Sequence, residues 1–192
     1  MKTIVACLIA AVLVVPAFAD DNPDGRVFVS GAIDSNVDQI DVPAGVPFNM
    51  YLAVDCLDDG LRGVAVTMLH DIPGFPAGVP VFLNEGTQTV GGFNDPAGWA
   101  IAWADCAYPD PVTGILPVVE IPYFASGPGS VTLSAHPTDG KITLDCNYLE
   151  DPYCIAHNLG VGEAPPAGDA DCDCDPVPVE DGTWGSIKGL YR

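Results

Sequence analysis

The sequence predicts an all-β protein, a two-sheet antiparallel β-sandwich containing disulfides, on three observations. From residue 20 to about 165, short β-rich runs alternate with turn clusters, and no segment there carries a 3.6-residue apolar stripe. The 192 residues include 21 glycines and 19 prolines, roughly twice average usage, which argues against a long-helix bundle. Six cysteines, an even number, remain once an expected export segment is removed, and disulfides are the default reading in an oxidising compartment.

The elements follow in order. Residues 1–19 read as a signal peptide: Lys2 precedes an apolar run, and Ala17-Phe18-Ala19 supplies the small-x-small cleavage pattern. The run is shorter than the roughly 20 apolar residues that span a bilayer, and no later stretch is long and apolar enough to do so. The expected destination is therefore the extracellular space or the cell surface. Residues 20–162 are assigned to the sandwich. Its predicted strands are 26–33, 47–56, 61–70, 79–83, 98–106, 115–124, 130–135 and 141–146, separated by turn signals such as Asp58-Asp59-Gly60, Pro73-Gly74, Gly127-Pro128-Gly129 and Asp139-Gly140. Along these runs the side chains alternate. Val64, Val66 and Met68 share one face, while Trp99, Ile101 and Trp103 lie opposite Ala100, Ala102 and Ala104 on theirs. Residues 163–182 form an acidic, cysteine-containing linker, and 183–192 a Trp/Lys/Arg tail peptide.

Composition excludes whole classes. An apolar content of 48% is too high for a wholly disordered chain. Twenty-six acidic against six basic residues, a formal net charge of −20, excludes nucleic acid as a partner, since phosphate binding needs clustered Lys and Arg.

The order of elements is familiar. Val42-Pro43-Ala44-Gly45-Val46-Pro47-Phe48 leads into a strand ending Val54-Asp55-Cys56; Leu61-Arg62-Gly63-Val64-Ala65-Val66 follows, and residues 116–124 and Gly127-Pro128-Gly129-Ser130-Val131-Thr132-Leu133 come later. Over roughly residues 26–160 this series resembles the cohesin-like and carbohydrate-binding β-sandwich superfamily. The resemblance implies a jelly-roll sandwich acting outside the cell as a binding or scaffolding module, without catalysis, on a protein or cell-surface polymer. The cysteines depart from that pattern. The ending Thr183-Trp184-Gly185-Ser186-Ile187-Lys188-Gly189-Leu190-Tyr191-Arg192 resembles tails of uncharacterised exported bacterial proteins.

Candidate sites compete with blander readings. Cys56, Cys106, Cys146, Cys154, Cys172 and Cys174 are read as disulfide-bonded; six cysteines allow 15 connectivities, and the expected pairs are Cys146 with Cys154 and Cys56 with Cys106. Cys172 and Cys174 then either close on each other or face another chain. Zinc is the rival, but no CxxC or cysteine–histidine spacing supports it. Asp169, Asp171, Asp173, Asp175 and Glu180 fall at calcium-loop positions, where alternating carboxylates converge on a hard cation. Cys174 occupies the position that demands glycine, so a solvated acidic segment competes with a calcium site and no cofactor is assigned. Trp99 and Trp103 are the candidates for a carbohydrate platform, against the reading that large aromatics on one face of a central strand are core. Trp184, Lys188 and Arg192 are candidates for tail recognition, against a frayed end. His70, His136 and His157 show no HExxH spacing, and the chain has no GxSxG elbow, so an enzyme is not expected. The leading expectation is a secreted, non-enzymatic binding module. The alternatives are a carbohydrate-binding module and a calcium-dependent adhesive or matrix protein.

Overall fold

A computed structural model describes residues 25–57, 60–170 and 172; within them every regular element is a β-strand. In chain order these are β1 (Arg26–Ser30), β2 (Gln39–Ile40), β3 (Pro47–Asp55), β4 (Leu61–His70), β5 (Gly74–Pro76), β6 (Val81–Phe82), β7 (Gln88–Gly91), β8 (Trp99–Ala107), β9 (Leu116–Ala125), β10 (Gly129–Ala135), β11 (Ile142–Asp145), β12 (Glu150–Pro152), β13 (Cys154–Ile155) and β14 (Leu159–Val161).

The first sheet runs β13-β1-β3-β9-β5, with β6 also paired to β9. The second runs β12-β11-β4-β10-β14-β2, with β8 on the other edge of β4 and β7 beyond β8. β4 is the hub of this sheet. β11 pairs with its first half and β10 with its second on one edge, while β8 takes the other. Nearly all pairings are antiparallel, as alternation and tight turns demand. β1 with β13 and β14 with β2 are parallel, short pairings that tie residues 154–161 into both sheets.

The core lies between the layers. Val27, Val29, Met50, Leu52 and Val54 face Val64, Val66, Met68, Trp99, Ile101, Trp103, Val131 and Leu133. These are the alternating positions of their strands, so the period of two in the sequence becomes the inner face of each sheet. A bulge in β9 breaks that period: the register shifts between Leu52 and Ala53 of β3, and consecutive Val118 and Val119 are both buried. Trp103 donates its ring N–H to the Leu61 carbonyl at 2.9 Å, which satisfies the polar atom of a nearly buried indole.

Trp99 and Trp103 are only 2% and 5% exposed, so the surface platform proposed for them is corrected: they are core, because their strand turns its bulky face inward and its alanines outward. The expected cysteine pairs are also corrected. Cys106 bonds to Cys146 and Cys154 to Cys172, with Cα separations of 5.3 and 5.6 Å. Cys146 and Cys154 cannot meet: β11 and β12 form a hairpin with Ile142 opposite Pro152, which leaves the two cysteines at opposite ends, roughly 20 Å apart at strand rise. Cys106 and Cys146 do meet, since β8 and β11 flank the start of β4 and both pair with Leu61. Cys56 is disulfide-bonded as well, to a cysteine outside the described residues.

Candidate functional site

The outward face of the second sheet carries a trough assembled row by row from register. In one row Gln88, Ala102, Gly63, Leu144 and Glu150 stand side by side; in the next, Val90, Ala100, Ala65, Ile142 and Pro152. The middle two strands contribute only glycine and alanine. The flanking strands contribute aliphatic side chains, Val90 on one side and Ile142 and Leu144 on the other. Small residues between larger ones make a concavity, about 350 Å³ in volume. Val90 is 77% exposed, so one wall stands in solvent.

Gly63 is required where it sits. A Cβ there would approach the Ile101 carbonyl oxygen to 2.9 Å and the Ala102 Cβ to 3.4 Å, so the floor is tight as well as flat.

A polar clamp closes the end beyond Leu144. Arg62 donates to the Ala104 carbonyl, and its guanidinium lies over the Tyr148 ring, 4.5 Å from the centroid. Tyr148 is held there by the β11–β12 turn, where fully buried Asp145 accepts hydrogen bonds from the N–H groups of Asn147 at 2.8 Å and Leu149 at 2.6 Å. One acidic side chain, Glu150, lies on the trough's rim. Such a surface can bury apolar side chains and favours a cation beside Glu150.

A second apolar patch lies on the first sheet. Phe75 stacks on Phe124 with ring centroids 5.0 Å apart, near exposed Val46, Val79 and Val81. Phe75 is 58% exposed, so this patch stands in solvent.

The remaining sequence candidates fall as follows. Asp169 is described, and its carboxylate accepts from Lys141 Nζ and from the Ile155 N–H at 2.7 Å, which docks Asp169 against β13. Burial opposes its ionisation, but these hydrogen bonds and the Lys141 charge outweigh burial and hold its pKa below the ordinary carboxylate range. Asp171, Asp173, Asp175 and Glu180 lie outside the described residues, as do Cys174, the signal segment, and Trp184, Lys188 and Arg192 of the tail. Among the described residues, no group of three or more His, Cys, Asp or Glu side chains is placed to hold a metal ion, and no helix is long and apolar enough to cross a membrane.

Two histidines are half-buried against aromatic rings. His70 stacks on Phe93 at 4.9 Å and meets Tyr123 edge-on at 5.0 Å; His157 sits 5.0 Å from Phe28. Burial is the main cause holding both pKa values below 6.5 and outweighs the nearby carboxylates. Below the ordinary value the unfolded chain binds more protons than the folded one, so stability falls as pH drops through 6.5 towards the folded values. The melting temperature is expected to fall between pH 7.5 and 5.5, and less so in the His70→Gln, His157→Gln double variant. Equal falls in both proteins would contradict this.

No family model and no curated protein matches the sequence. Among solved structures, the chain is similar to the cohesin module of a family 33 glycoside hydrolase from Clostridium perfringens, at 9% identity and a TM-score of 0.49, covering 71% of this chain and 96% of that one. It is also similar to a type II cohesin domain from the cellulosome of Acetivibrio cellulolyticus, at 10% identity and a TM-score of 0.48, covering 72% and 95%. A third likeness is to the sixth cohesin of scaffoldin B from the same organism, solved in complex with a dockerin, at 10% identity and a TM-score of 0.46, covering 71% and 96%. These are likenesses of fold.

Proposed function

We propose that this chain is a secreted binding module that docks a protein partner through the trough, and that the partner presents an amphipathic helix. The carrying observation is the cross-strand order of side chains: a Gly/Ala floor two strands wide between aliphatic walls on β7 and β11. Those walls stand three strand spacings apart, about 14 Å. A helix with its side chains is about 10–12 Å across, so it fits between them, whereas a single extended strand would touch only one wall. The partner's apolar stripe would lie over Ala65, Ala100 and Ala102, with its basic side chains towards Glu150. Residence outside the cell is supported by the export pattern of residues 1–19 and by the two structural disulfides, which persist in oxidising compartments.

The test is selection of displayed helical peptides on the mature protein, followed by measurement with Ala102→Arg. Ala102 is exposed on the floor, so the substitution fills the trough without touching the core. Selected peptides are expected to lose at least about tenfold in affinity, the scale of one disrupted central contact at an interface. Peptides that bind Ala102→Arg unchanged would reject the trough as the docking face.

A further inference from the structure

Resting on the trough as a docking face, we propose that the chain's own residues 183–192 occupy it in the same molecule and regulate access by outside partners. Three observations converge on this occupant. The first is charge. The only basic residues between 25 and 182 are Arg26, Arg62 and Lys141, and each is engaged within the sandwich: Arg26 with Asp55, Lys141 with Asp169, and Arg62 with the Ala104 carbonyl and Tyr148. Among the described residues, no ion pair reaches Glu150 on the trough's rim. Residues 183–192 contain Lys188 and Arg192 and no acid, so they carry the cations that this rim lacks.

The second observation is pattern. Trp184, Ile187 and Tyr191 recur at helical spacing, with Asp181 or Thr183 able to cap the start and Lys188 and Arg192 suited to the end. That is the apolar stripe with basic flanks which the trough selects. Gly185 and Gly189 weaken such a helix in isolation, so it would form on docking.

The third is reach. The disulfide from Cys154, on β13 of the first sheet, holds Cys172 within chain reach of the trough's edge: Cys154 follows Glu150 by four residues, at most about 14 Å of chain. Cys174 is the one mature cysteine left for Cys56, so the free tether is counted from it: eight residues lie between Cys174 and Thr183, nine Cα steps that span about 30 Å. A tether of this length gives an effective concentration of order 1 mM; with an intrinsic dissociation constant near 0.1 mM the docked form would prevail about ten to one. Deleting the tail would then raise the affinity of an outside ligand about tenfold.

Acrylamide quenching of tryptophan fluorescence in the mature chain tests this directly. Trp99 and Trp103 are buried, so the quenchable signal reports Trp184. In the intact protein Trp184 is expected to be protected severalfold relative to a synthetic peptide of residues 181–192, independently of protein concentration, and Ala102→Arg is expected to remove that protection. Quenching equal to the free peptide overturns the proposal. So does protection that survives Ala102→Arg, which would place the tail elsewhere, or protection that vanishes on dilution, which would make the contact intermolecular. Affinity of a selected helical peptide for a chain ending at residue 182 is measured alongside. Its loss on Ala102→Arg tests the trough alone, so failure of the tail and failure of the docking face give different results.

Discussion

Replacing Trp103 with alanine is expected to cost about 3–5 kcal/mol of folding stability, the range for truncating a buried tryptophan. The side chain is 5% exposed, and its N–H bonds to the Leu61 carbonyl at 2.9 Å. The substitution therefore opens a cavity between the sheets and also orphans a carbonyl at the start of β4, the strand that anchors three others. With total stabilities of about 5–15 kcal/mol for a domain, this consumes much of what is available. Urea denaturation followed by far-ultraviolet circular dichroism measures it. A loss below about 1 kcal/mol, joined to loss of retention on a polysaccharide, would instead put the ring on the surface and revive a sugar platform.

The second large effect belongs to the disulfides. Cys106–Cys146 closes 40 residues and Cys154–Cys172 closes 18. By chain entropy these constrain the unfolded state by about 4 and about 3 kcal/mol, respectively. The Cys106→Ser, Cys146→Ser double variant is expected to lose close to the first figure in denaturant titration. Peptide mapping without reduction is expected to recover both pairs, with Cys174 as the one cysteine left in the mature chain for Cys56. Recovery of Cys146 bonded to Cys154 would contradict the β11–β12 hairpin itself.

The sequence was legible where alternation was strong. The strand expected at 61–70 is β4 to the residue, and that expected at 115–124 is β9 displaced by one. These runs are long and β-rich, and each buries a face, so local pattern and tertiary burial agree. β2, β12, β13 and β14 escaped notice because they are two or three residues long and defined by what they pair with, which no local pattern records. β5 and β7 were hidden by glycine, proline and full exposure. The disulfide pairs failed for a related reason: proximity along the chain favoured Cys146 with Cys154, while a hairpin carries those two apart.

The candidate site was half legible. The alternation of Trp99, Ile101 and Trp103 with Ala100, Ala102 and Ala104 is plain in the sequence, and its aromatic half is core. The alanine half held the signal. An outward strand face built of alanine rather than of polar or charged residues is not designed for bulk water alone. That Gly63 and Ala65 stand beside it, and that Ile142 and Leu144 wall it, depends on register between strands up to 80 residues apart and could not be read locally.

The most direct measurement is amide chemical-shift mapping of the mature protein bound to a selected helical peptide. Perturbations are expected to centre on Gly63, Ala65, Ala100, Ala102, Ile142 and Leu144, and to fade across the opposite sheet. A map centred on Phe75 and Phe124 would contradict the account and move the docking face to the other layer.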